Sequence, residues 1–165
     1  MSEITLGIIG GGQLGSMLAI SAKKLNVKTV IYCDDLDAPA QNFCNEFISG
    51  SYSDKKKITK FVNLVDYVTY EFENIPFETL SEINKLKPVL PKPSVNRLIQ
   101  HRLAEKDFVN KLNIRTTRYA SVENESEIES LEDLLPGILK TTTLGYDGKG
   151  PVSYTHLTLP TILLV

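Results

Sequence analysis

The 165-residue chain has no tryptophan, only two cysteines and two histidines, and no apolar run long enough to span a bilayer. Each scarcity narrows the function. Cys33 and Cys44 have neither C-x-x-C spacing nor a cysteine–histidine cluster. That argues against a disulfide framework or a zinc site and fits a reducing, cytoplasmic setting. The balance of 18 basic against 20 acidic residues leaves a formal charge of −2. No global basic field exists to draw in nucleic acid or an anionic membrane, and neither is expected as a partner. The only basic run, Lys55-Lys56-Lys57, sits where a helix should begin its solvated face. The chain enters a strand pattern directly, without a charged leader or a cleavable apolar core, so no secretory signal is expected.

What is present is an ordinary globular composition, 42% hydrophobic and 23% charged, enough for one domain or one plus a fragment. Strand and helix patterns alternate. Ile4 to Ile9 reads as a buried strand ended by Gly10-Gly11-Gly12. Leu14, Met17, Leu18, Ala22 and Leu25 then recur at helical spacing and predict an apolar helix face, with Asn26 as its stop. Lys28 to Cys33, Phe47 to Gly50 and Asp66 to Tyr70 predict three more strands. Helices are expected over 54–64 and 76–86, the second opened by Pro76. This rhythm predicts an α/β fold with a doubly wound parallel sheet. Pro88, Pro91 and Pro93 interrupt it; a last short strand and a stiff linker are expected there, closing a first domain at residue 93. A helix capped by Ser94 should run to about Asn113. Strands over 115–120 and 136–143 should flank an acidic helix from Glu123 to Asp133. This second unit, 94–150, is too small to bury a good core unaided. Residues 151–165 contain no Asp, Glu, Lys or Arg, and a non-native ending is expected there.

Several residues carry chemistry. Gly10, Gly12 and Gly15 satisfy G-x-G-x-x-G between a strand and a helix, with Asp35 twenty residues further on. Such a turn lets backbone approach a phosphate at a helix N-terminus. A dinucleotide, another phosphorylated ligand or a purely structural turn all remain open. Glu71 and Glu73 would project to one face if the fourth strand continued, to hold hydroxyls or an amine; a solvated strand end is the plain alternative. Arg102 and Lys106, four apart on one helix face, could meet a phosphate or simply decorate a surface, and His101 reads as an exposed helix residue. Lys140 ends an apolar strand, where burial would require an anionic partner, either a triphosphate or a carboxylate. Gly145, Tyr146, Asp147, Gly148, Lys149 and Gly150 form a loop able to close over phosphates. It is not a P-loop of the G-x-x-x-x-G-K-[ST] type.

Together, Gly7-Ile8-Ile9-Gly10-Gly11-Gly12-Gln13-Leu14-Gly15, Tyr70-Glu71-Phe72-Glu73-Asn74, Arg102-Leu103-Ala104-Glu105-Lys106 and Leu139-Lys140 with Gly145–Gly150 resemble the 5-(carboxyamino)imidazole ribonucleotide synthases, a family of ATP-grasp enzymes. The resemblance spans roughly residues 5–150. It implies a Rossmann-like pre-ATP-grasp domain followed by an incomplete ATP-grasp lid subdomain. The implied activity is that of a ligase of purine biosynthesis, which uses ATP to carboxylate 5-aminoimidazole ribonucleotide with bicarbonate through carboxyphosphate. It also implies that Arg102, Lys140 and residues 145–150 contact ATP, and that Gly12, Gln13, Leu14 and Glu73 meet the ribonucleotide. Catalytic residues are not assigned. Magnesium ligands are expected in a C-terminal part, so a chain ending here is expected to be inactive. A homodimer is implied at full length. Thr142, Leu144 and Pro151 depart from the family pattern, the last at the composition break. The competing classes are a nicotinamide-dependent oxidoreductase, resting on the glycines and Asp35, and a non-catalytic nucleotide-binding module.

Overall fold

The computed structural model describes residues 4–144 and 152–154. The chain divides into two compact units, Met1–Leu98 and Ile99–Val165.

The first unit is built on four parallel strands: β1 (Thr5–Ile9), β2 (Lys28–Cys33), β3 (Glu46–Ser49) and β4 (Tyr67–Tyr70). Their order in the sheet is β3-β2-β1-β4. The chain therefore adds strands outward on one side of β1, then returns to its other side. The helices α1 (Gln13–Lys24), α2 (Lys55–Asn63) and α3 (Phe77–Asn84) connect or follow the strands. Alternate strand residues feed two cores. Ile9, Val30, Tyr32, Ile48 and Val68 meet Phe61 and Val62 of α2 and Leu80 and Ile83 of α3. Ile8 and Ile31 meet Ala19 of α1 and Ala40 of the 3₁₀ turn at Pro39–Asn42. Both faces of the sheet are thus covered, as a parallel sheet requires.

The helix ends follow local chemistry. Asp54 caps α2 by accepting from Lys57 N–H at 3.0 Å. Pro76 precedes α3 without a side-chain cap. Asn26 ends the turn after α1 with φ at 56°, the left-handed conformation that asparagine tolerates.

Two expectations for this unit are overturned. Leu14, Met17, Leu18 and Leu25 do not form the buried face of α1; all four are exposed, and Gly15, Ser16, Ala19 and Ala22 are buried instead. The reason is proximity. A Cβ at Gly15 would lie 2.7 Å from the Gly10 carbonyl oxygen, so only small side chains fit beneath α1. The strand expected among the prolines is reduced to one parallel bridge, Val89 to Val68. The helix α4 (Pro93–Ile99) follows, with Arg97 stacked 4.8 Å over the Phe77 ring.

The second unit also departs from expectation. The helix foreseen to Asn113 breaks at Gln100–His101. α5 (Arg102–Lys111) starts afresh with His101 as its cap, whose Nδ1 accepts from Ala104 N–H at 3.3 Å. Residues 115–120 form no strand. The acidic helix is a single turn, α6 (Glu125–Ile128), continued by a 3₁₀ segment, Glu129–Leu134. β5 (Gly137–Leu139) pairs antiparallel with β6 (Val152–Tyr154). No helix of the described residues is long and apolar enough to cross a membrane.

Candidate functional site

Because β1 and β4 diverge in connection, the crevice beyond their carboxyl ends is the topological switch point, where open α/β sheets bind ligands. Two segments meet there: Gly10–Leu14 after β1 and Glu71–Glu73 after β4. The Glu71 N–H still bonds the Ile9 carbonyl at 3.1 Å, extending the ladder by one rung. Its side chain then crosses to accept from Gly12 N–H at 3.0 Å. Gly10 makes room for that carboxylate: its φ is 108°, and a Cβ there would lie 2.6 Å from Glu71 Oε1.

Gly12 is gripped at both ends. Its carbonyl accepts from Ser16 N–H and Ser16 Oγ, each at 3.0 Å. The N–H groups of Gln13, Leu14 and Gly15 belong to the first helical turn, whose donors lack partners within a helix. Gln13 and Leu14 are exposed. Glu73 is exposed as well, beyond the end of β4, so it does not share a strand face with Glu71. Its carbonyl accepts from Asn96 Nδ2 of α4 at 2.9 Å, and Asn96 itself is fully buried.

The β2 side of the rim has a different character. Asp35 is exposed and accepts from Asp37 N–H at 2.9 Å. Burial, with Asp54 and Asp34 nearby, pushes the Tyr32 hydroxyl up to about 12. Burial pushes Tyr52 up further, helped by Cys33 and Asp34, and raises the Cys33 thiol. These groups stay protonated at neutral pH, and Cys33 lacks the thiolate character of a nucleophile.

In the second unit, Arg102 opens α5 and donates its backbone N–H to the Thr142 carbonyl at 2.9 Å. That brings the start of α5 beside the segment that follows Lys140. Lys140 lies just past β5 and is exposed, so the cost of burial that marked it in the sequence does not arise. Lys106 turns to its own unit, with Nζ 2.8 Å from Thr117 Oγ1 and 4.9 Å from the Tyr119 ring centroid. Gly145, Tyr146, Asp147, Gly148, Lys149 and Gly150 lie outside the described residues. An open cavity of about 530 Å³ is lined by residues including Arg115, Thr117, Tyr119 and Asp133; none of the sequence-predicted residues lines it. Among the described residues no group of three or more His, Cys, Asp or Glu side chains could hold a metal ion.

The family model of the ribonucleotide synthetase pre-ATP-grasp domain matches residues 3–100. The chain belongs to that family. It is 40% identical over 153 residues to a bifunctional purine synthesis protein purC/E of Dictyostelium discoideum, covering 92% of this chain and 15% of the relative. It is 38% identical to an N5-carboxyaminoimidazole ribonucleotide synthase of Brucella melitensis, covering 93% of this chain and 43% of the relative. The crystal structure of N5-carboxyaminoimidazole synthetase from Staphylococcus aureus, complexed with ADP, superposes with a TM-score of 0.85 at 35% identity. It covers 93% of this chain and 42% of that one. The chain thus spans less than half the length of these relatives. The resemblance read from the four sequence motifs is borne out.

In this pre-ATP-grasp unit the glycine turn does not present an open dinucleotide site. The Glu71 carboxylate takes the Gly12 N–H, so that amide is not available to a pyrophosphate. Asn96 was not foreseen as part of the site. A single asparagine in a short helix carries no local signal that it is buried, since only the fold brings it 23 positions back to Glu73.

Proposed function

We propose that this chain supplies the substrate-binding unit and the first part of the ATP-grasp lid of an ATP-dependent synthase that carboxylates 5-aminoimidazole ribonucleotide with bicarbonate in purine biosynthesis. The observation that carries the reading is the meeting of Gly10–Leu14 and Glu71–Glu73 at the switch point, with Gly12 held by Glu71. The first-turn amides of the exposed residues Gln13 and Leu14 suit a phosphate monoester, and Glu73 suits a ribose hydroxyl or an amine. The names of the relatives, and the ADP held by the Staphylococcus aureus relative, support the substrate and the nucleotide.

In this chemistry a bicarbonate oxygen attacks the γ-phosphorus and ADP leaves, giving carboxyphosphate. The amine nitrogen of the ribonucleotide then takes the carboxyl carbon, losing a proton as phosphate departs. Such transfers depend on positioning and charge neutralisation rather than on a covalent nucleophile. Arg102 and Lys140, with residues 145–150, are the part of this chain that the family resemblance assigns to ATP. Magnesium would neutralise the polyphosphate. The described residues hold no group of three or more His, Cys, Asp or Glu side chains to bind it. Glu71 takes the Gly12 N–H that a dinucleotide pyrophosphate would use, which disfavours the nicotinamide reading.

The test is a pair of variants in a full-length synthase in which this chain forms the N-terminal region. Glu73→Ala should raise KM for the ribonucleotide about 10-fold and leave KM for ATP nearly unchanged. Lys140→Ala should do the reverse. Exchange of these two patterns would reject the site assignment.

A further inference from the structure

The segment from Tyr70 to Glu73 touches both halves of the rim. Glu71 fixes the Gly12 peptide from one side. Two residues on, the Glu73 carbonyl is fixed by Asn96. The next peptide, joining Gly12 to Gln13, carries the Gln13 amide, and Ser16 holds its carbonyl, so both peptides flanking Gly12 are fixed. A shift of either clamp would move the amides and the Glu73 side chain relative to each other.

Asn96 is a costly way to hold a loop. It is fully buried, and its Oδ1 finds no hydrogen-bond donor among the described residues. A buried amide with half its bonds unmade destabilises a fold relative to an apolar side chain of similar size. The bond Asn96 makes to the Glu73 carbonyl is only part-buried, and Glu73 itself is exposed, so water can reach that carbonyl once its partner is gone. Stability alone therefore gives no reason for an asparagine here, while the position of Glu73 does. Glu71 is similar in kind. Two backbone contacts and a positive-φ glycine are arranged so that a carboxylate can lie against the turn.

We infer that Glu71 and Asn96 are positioning residues for the ribonucleotide site, clamping Gly12 and Glu73 so that the Gln13 and Leu14 amides and the Glu73 carboxylate face one ligand. The inference rests on the function proposed above. Neither residue is expected to touch the ribonucleotide, and both act through residues that do.

The experiment measures kcat, KM for each substrate and melting temperature in the same full-length synthase. Asn96→Leu is expected to melt no lower than the parent yet to raise KM for 5-aminoimidazole ribonucleotide about 10-fold, with KM for ATP within about 2-fold. Glu71→Ala should behave likewise in KM, and Glu71→Gln, which keeps an acceptor for Gly12 N–H, should recover most of the loss. The inference is overturned if both alanine and leucine variants keep the parental KM for the ribonucleotide. It is overturned equally if both substrates weaken together in step with a lower melting temperature, which would mark a purely structural role. A parent enzyme that consumes no ATP in response to the ribonucleotide would instead overturn the function on which the inference stands.

Discussion

The two units hold together by different means. In the first, large side chains such as Tyr32, Phe61, Ile8 and Ile31 are fully buried on two faces of a sheet. In the second, α5 buries no residue, and Arg118 with Asp133, Lys106 with Thr117 and Tyr119 with Asp107 make polar, exposed contacts. The first unit has a core of its own. The second is organised by surface interactions, each of which contributes little in water. The difference matters for function, because a rigid rim can be built on the first unit without help.

Phenylalanines in the two units give the sharpest contrast. Phe61→Ala should destabilise the first unit by about 3–5 kcal/mol, since its ring is wholly enclosed against Tyr32 and the sheet. Phe108→Ala in α5, a position 46% exposed, should cost well under 1 kcal/mol, on the order of other surface changes. Denaturant titrations of the two variants would measure both. Equal losses would erase the distinction between the units.

A pH titration probes the same core. Tyr32 has its folded-state pKa raised to about 12 against an ordinary value of 10.0. The folded state thus keeps a proton that the unfolded chain releases. The stabilisation is complete below pH 10 and declines as pH rises from about 10 through 12. Tyr32→Phe should make that alkaline limb shallower in a denaturation-midpoint series, Tyr52 supplying the remainder, and a limb of unchanged slope would count against the assignment. The smallest effect belongs to local chemistry: Asp54→Ala should remove about 1 kcal/mol through loss of the α2 cap, whereas Asp54→Asn should retain most of it.

Strands of the first unit could be read almost to the residue, because β-branched runs between glycine and aspartate signals leave few alternatives. The face of α1 could not. Counting large apolar residues at helical spacing picks Leu14, Met17, Leu18 and Leu25, but close approach of helix to sheet selects glycine, serine and alanine. The break at Gln100–His101 was hidden because histidine is an unusual cap. The glycine turn was legible as a candidate site. Its lock, Glu71, was visible only as one of two carboxylates, and its partner clamp Asn96 depends on a contact 23 residues apart that no local pattern encodes. Lys140 was singled out for a burial that the fold does not impose.

The central claim is that the rim of the first unit receives a phosphorylated ribonucleotide. Amide resonances of this chain should be followed as 5-aminoimidazole ribonucleotide is added. Progressive shifts concentrated at Gly12, Gln13, Leu14 and Glu73 are predicted. Unmoved resonances at all four, or shifts centred on Asp35 when a reduced nicotinamide dinucleotide is added instead, would contradict the account.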